Sequence, residues 1–180
     1  MRFIDLHVHS NCSDGTFSPS DLVAYALKKK LAAFALTDHD TTAGLQEAIH
    51  AAEGTGLEVI PGIEFSTEYQ GKDIHIVGLD IDYQSDFFQS RLYEFKNSRD
   101  LRNKKMIAKL QEYQIAISWD NMKEMFGDAM WTRAHFAKYL MEKGYVSDID
   151  DAFTRFVGDH APCFVPREKV TPMDAVRLIR

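Results

Sequence analysis

The sequence predicts an α/β fold: parallel β/α units followed by a mainly helical stretch. Three observations support this. From Arg2 to about Ile81 short apolar runs alternate with amphipathic helical ones, the signature of strands separated by crossover helices. After Tyr83 the texture changes to charged helical periodicity. The chain of 180 residues is 45% hydrophobic and 27% charged, an ordinary globular composition with a sizeable core. It is shorter than the roughly 250 residues of a typical eight-fold β/α barrel. The pattern divides into 1–84 (β/α units), 85–168 (a helical insertion) and 169–180 (a return to the β/α part, ending within a helix).

Phe3 to Val8 reads as the first strand, followed by the turn-prone stretch Ser10 to Gly15. Ser18-Pro19-Ser20-Asp21 has the form of a helix start, with Ser18 as N-cap, Pro19 in the first turn and Asp21 closing a capping box. The helix places Leu22, Val23, Ala26 and Leu27 on one face and ends near Lys30. Leu31 to Leu36 is a second strand, followed by Thr37-Asp38-His39-Asp40-Thr41-Thr42 and a helix to about Glu53. Leu57 to Phe65 and Asp73 to Ile81 are the third and fourth strands, all expected to be parallel and buried on both faces. A long helix spans Phe87 to about Tyr113, and short helices fill Ser118 to Val157, with Gly127 and Gly144 as C-terminal stops. Pro162, Pro166 and Pro172 mark an extended return, and Thr171-Pro172-Met173-Asp174 starts a last helix.

Twenty-one Lys and Arg face 27 Asp and Glu, a net charge of -6, with no like-charge run suited to a polyanion. An extended basic nucleic-acid surface is therefore not expected, although metal ions can reverse the charge of a single cleft. Cys12 and Cys163 form neither a disulfide framework nor a metal knuckle. No signal-peptide pattern or eighteen-residue apolar window occurs, so the expectation is a cytoplasmic protein with no membrane partner.

The chemistry-bearing residues follow the strands. His7 and His9, two apart on a strand, share a face and can address one ion. Asp14 lies in the adjoining loop, His39 beyond the second strand, Glu64 at the end of the third and His75 within the fourth. Reactive groups of β/α barrels gather at the C-terminal ends of strands. Each residue alone has a plain structural explanation: a capping His39, a surface Glu64, a packed His75. Six ligand-type residues from four consecutive strands point instead to a shared site. Imidazoles mixed with carboxylates suit Zn, Mn or Fe, and a carboxylate can bridge two ions. Asp38 and Asp40 are placed to orient the His39 ring. His50 and His160 read as solvated. Trp131, Phe136 and Tyr139 form an aromatic stripe, suited to a core or to stacking on a base.

Asp5-Leu6-His7-Val8-His9-Ser10, Ser13-Asp14-Gly15, Leu36-Thr37-Asp38-His39-Asp40-Thr41, Gly62-Ile63-Glu64-Phe65-Ser66 and His75-Ile76-Val77-Gly78 resemble the opening motifs of the PHP (polymerase and histidinol phosphatase) family. The likeness is strongest to its small bacterial phosphoesterases, which remove the 3'-phosphate of nucleoside 3',5'-bisphosphates, hydrolyse AMP or trim short RNA from the 5' end. The resemblance implies a distorted seven-stranded, TIM-like β/α barrel with a helical insertion and two or three divalent ions, Mn, Fe or Zn with Mg also compatible. It implies His7, His9 and Glu64 at one ion, Glu64 bridging to a second that His75 also binds, and Asp14 with His39 at a third. Water acidified by the clustered cations would lose a proton, and the hydroxide would attack phosphorus in line without a protein nucleophile, the leaving alkoxide being stabilised by another ion or protonated nearby. Arg133-Ala134-His135 resembles the family's Arg-Pro-His motif, and Arg99 with Arg102-Asn103 its Arg-bearing helix. These five residues are the implied clamp on a nucleotide or short oligonucleotide, since a guanidinium fork matches phosphate.

The family's later His-Pro and Asp-x-His ligands have no counterpart before Arg180. The expectation is thus an N-terminal portion of a barrel, with unclosed strand edges open to association. A histidinol-phosphate-type phosphatase and a non-catalytic PHP module with a binding role are the alternatives. An amidohydrolase also begins with His-x-His, but the Ser-Asp-Gly and Thr-Asp-His-Asp motifs argue against it.

Overall fold

The computed structural model describes residues 3–166 and 171–180. The expected boundary at 168/169 lies outside the described residues. Four strands, β1 (Phe3–Val8), β2 (Leu31–Leu36), β3 (Glu58–Tyr69) and β4 (Lys72–Leu79), form one sheet in the order β1-β2-β3-β4. Helices α1 (Pro19–Lys28) and α2 (Leu45–Ala52) join the first three strands. Then come α3 (Asp86–Glu112), α4 (Trp119–Phe126), α5 (Arg133–Glu142), α6 (Ile149–Ala152) running into a π-helical turn over Phe153–Val157, and α7 (Pro172–Ile179).

The chain divides into two compact units. The first holds β1–β4, α1, α2, the start of α3 as far as Lys96, and α7; the second begins at Asn97. All of α3 was expected in the helical insertion. Its first turns instead supply Phe88, Leu92 and Phe95 to the core of the first unit. That core centres on Phe34, Leu36, Leu45, Ile63 and Phe65, with Leu22, Val23 and Ala26 packed from α1. Leu27, expected on the same face, points outward. α7 closes over β3 and β4 so tightly that a Cβ on Gly78 would lie 2.8 Å from Ile179.

The predicted caps are present: Ser18 Oγ accepts from Asp21 N on α1, and Thr171 Oγ1 from Asp174 N on α7. β1 pairs with β2, and β2 with β3, in parallel as expected. β4 differs: it pairs antiparallel with β3 through a tight turn at Gln70 and Gly71, with φ of 52° and 74°. Left-handed values at both central residues are the signature of a two-residue hairpin turn. β1 also departs from the expected burial on both faces, since it is an edge strand with Phe3, Ile4 and Leu6 exposed.

The second unit has its own core of Met106, Leu110, Met122, Phe136, Tyr139, Leu140 and Val157. Tyr139 donates its hydroxyl to Ala116 O at 2.7 Å, and Trp131 packs on Trp119 with ring centroids 4.5 Å apart. The aromatic stripe is therefore core, not an open stacking surface. No helix among the described residues is long and apolar enough to cross a membrane.

Candidate metal centre

Parallel strands β1 and β2 end beside one another, and the chain beyond each end carries ligand-type residues. Thr37 N and Oγ1 both donate to Val8 O, fixing the end of β1 against the end of β2. Next to this, His39 forms an isolated bridge with Glu64 of β3, in which Asp40 N donates to Glu64 O at 3.0 Å and Glu64 N to Asp38 O at 3.2 Å. Glu64 was expected at the end of its strand. It lies mid-strand, because β3 continues past the end of β2 to pair with β4. The hairpin register sets Ser66 opposite His75, so Glu64 and His75 project on the same face, one step apart diagonally.

Six predicted residues meet around the Glu64 carboxylate and Asp14. Glu64 Oε2 lies 2.8 Å from His7 Nε2 and 2.9 Å from His9 Nε2, and Glu64 Oε1 lies 2.7 Å from His75 Nδ1. His39 Nδ1 is 3.6 Å from Glu64 Oε2. Asp14 approaches His9 Nδ1 at 3.4 Å and His39 Nε2 at 3.5 Å. Burial is graded: the Glu64 side chain is 5% exposed, whereas His7 and His75 are 51% and 41% exposed. A packed core role for His75 is therefore excluded. His50, at 83% exposure, is solvated as expected.

The electrostatics follow from this crowding. Burial alone would raise the Glu64 carboxyl, but hydrogen bonds from His75, His9 and His7 and the charge of His39 outweigh it and hold it well below the usual carboxylate range. Burial works against charge on His9, yet the hydrogen bond to Glu64 and the nearby Asp14 and Asp38 carboxylates raise it above 6.5. Asp38 is shifted upward by burial, partly offset by hydrogen bonds from Ser10 and Ser13.

Three overlapping triads bring one ligand atom per residue within 4.8 Å of each other: His7, His9, Glu64; His9, Asp14, His39; and His39, Glu64, His75. Imidazole and carboxylate donors in this mixture fit divalent metals.

Some roles differ from those expected. Asp38, expected to orient the His39 ring, directs both carboxylate oxygens at Ser10 and Ser13. Asp40 Oδ1 accepts from Ser66 N at 2.9 Å. Ser10 and Ser13 stand in the family-like motifs but carry no role in the sequence reading; only the folded chain shows that their hydroxyls meet Asp38.

Arg99, Arg102, Asn103, Arg133 and His135 belong to the second unit. Asn103 Nδ2 donates to Trp131 O at 3.2 Å, with Arg102 Nη2 at 3.5 Å from the same oxygen. His135 is the third residue of α5, and its Nδ1 accepts from Thr132 N at 3.0 Å in a capping box. Arg133 pairs with Asp159 at 2.5 Å and lies over the rings of Phe153 and Phe164. Arg99, Arg102, Asn103 and His135 are buried, whereas the Arg133 side chain keeps 21% exposure.

A buried carboxylate ringed by imidazoles, with a second carboxylate beside it, makes a candidate metal centre on an α/β scaffold. Residues 5–157 match the family model of the PHP domain, and the chain belongs to that family. It is 41% identical over 164 residues to a 5'-3' exoribonuclease of Haemophilus influenzae, covering 91% of this chain and 60% of that protein. It is 35% identical over 177 residues to a 3',5'-nucleoside bisphosphate phosphatase of Chromobacterium violaceum, covering 98% of this chain and 62% of the relative. A solved metal-dependent phosphoesterase of Bifidobacterium adolescentis is similar with a TM-score of 0.91 at 28% identity, over 99% of this chain and 63% of that one. The chain thus spans about three-fifths of the length of these two relatives.

Proposed function

We propose that this chain carries the ligand-bearing part of a metal-dependent phosphoesterase acting on nucleotides or short oligoribonucleotides. The observation that carries the reading is Glu64, a buried carboxylate approached by imidazoles from β1, the β2 end and β4. A buried carboxylate with four imidazoles and a second carboxylate nearby is costly as a purely structural device and well suited to cations. His7, His9 and Glu64 would hold one ion, Glu64 and His75 a second, and Asp14 with His39 a third. Divalent ions, when bound there, supply Lewis-acid charge that neutralises a phosphate ester and acidifies water. His7 and His75, the most exposed of the set, border the solvent from which a substrate would enter. Of the five residues proposed for substrate binding, Arg133 is the best placed to exchange its partner Asp159 for a phosphate, being partly exposed. Arg99, Arg102, Asn103 and His135 would support it from buried positions.

The two relatives are named for a nucleoside bisphosphate and for RNA, and this supports the substrate class. The test is phosphate release from a nucleoside 3',5'-bisphosphate with Mn2+. We expect His9→Ala or Asp14→Ala to lower the rate at least a hundredfold. Rates unchanged by either substitution would overturn the site.

A further inference from the structure

The geometry points to Asp38 as the positioning residue of this centre: its carboxylate locks the Ser10–Gly15 turn that presents Asp14 and secures the end of β1 that presents His9. This rests on the metal-centre reading above and assigns to Asp38 a task distinct from orienting His39. Asp38 is 2% exposed. Its Oδ1 accepts from Ser10 N at 2.7 Å and from Ser13 Oγ at 2.6 Å, and its Oδ2 accepts from Ser10 Oγ at 2.6 Å. Ser10 directly follows His9, and Ser13 directly precedes Asp14. One buried charge therefore grips the turn at both ends, next to each of the two ligands.

The backbone of the turn curls around the same anchor, Ser10. Ser13 N and Gly15 N both donate to Ser10 O, at 3.1 and 2.9 Å, and Asn11 N closes onto Phe17 O at 2.8 Å. The curl is so tight that a Cβ on Gly15 would lie 2.2 Å from His9 O, which demands glycine there. Ser10 Oγ, held by Asp38, in turn accepts from Cys12 N at 3.1 Å. Hydrogen bonds to a buried carboxylate are charge-assisted and directional, which is what a positioning contact requires. Asp40 performs the matching task on β3, where it holds Ser66 N two residues beyond Glu64. The segment Asp38-His39-Asp40 thereby ties together the elements that carry His9, Asp14 and Glu64.

Two measurements on the whole chain test this, both comparing it with Asp38→Asn, which keeps the shape and removes the charge. In the metal-free protein, amide hydrogen exchange at Ser10, Ser13 and Gly15 should accelerate at least tenfold while β2 amides stay protected. In a Mn2+ titration read by the free-ion EPR signal, binding of the ions that depend on His9 or Asp14 should weaken about ten- to hundredfold, with the ion held by Glu64 and His75 retained. Unchanged exchange in the turn, or uniform weakening of every ion, would overturn the proposal. If Asp38→Asn does not fold, Ser13→Ala removes one of the three hydrogen bonds and should shift both readouts in the same direction; no shift in it would overturn the proposal equally. Failure of the wild-type chain to bind Mn2+ would defeat the metal-centre reading alone, because the exchange experiment needs no metal.

Discussion

Burying the Glu64 carboxylate is unfavourable unless positive partners surround it, and each of its oxygens has an imidazole within 3 Å. This makes the metal-free site pH-sensitive in a defined sense. The lowered Glu64 value contributes stability that is complete above about 4.5 and lost as the pH falls through the folded value. The raised His9 value contributes stability that is complete below 6.5 and lost as the pH rises through its folded value. Both contributions are present together between those limits. The thermal stability of the chelated protein relative to Glu64→Gln should therefore peak between pH 4.5 and 6.5 and narrow towards pH 8. A difference that grows steadily to pH 8 would contradict the assignment. The same protonation opposes metal, since a ligating imidazole must be neutral, so Mn2+ affinity should fall as the pH drops below the raised His9 value.

At the scale of elements, the hairpin between β3 and β4 decides the geometry. A parallel fourth strand would have required a crossover of a dozen or more residues, whereas Gln70 and Gly71 return the chain at once and set His75 beside Glu64. Gly71 has φ of 74° and open space around it, so Gly71→Ala introduces no clash and carries only the left-handed backbone penalty, about 1 kcal/mol. The expected outcome is a melting temperature lower by a few degrees with unchanged metal content; lost metal would mean that the hairpin is less robust than its ladder indicates. The sequence made the strands themselves legible, because apolar runs bounded by polar turns are a local signal: β1 and β2 fall where expected, as do the caps at Ser18 and Thr171. The direction of β4 was hidden, since alternation carries no polarity and Gln-Gly is a weaker hairpin cue than Asn-Gly. The six ligand-type residues were legible because each sits in a strand or in the polar stretch that follows one. The work of Asp38 was not, because its partners lie 28 and 25 residues away and only the folded chain brings them together.

At the scale of the molecule, the first unit carries the metal-type cluster and the second carries the arginines proposed to recognise phosphate. The exposed apolar residues Phe3, Ile4 and Leu6 lie on β1, an edge strand of the sheet. If Arg133 anchors substrate, Arg133→Ala should raise KM at least tenfold and lower kcat much less; a pure kcat effect would place it at the chemistry instead. The central claim is that Glu64 is the hub of a metal centre. Elemental analysis of the chain purified without chelators, alongside Glu64→Gln, tests that claim most directly. Two of the three triads include Glu64, so the wild-type chain should retain two or three divalent ions and the variant at most one, held by His9, Asp14 and His39. Equal metal content in both proteins, or none in the wild type, would contradict it.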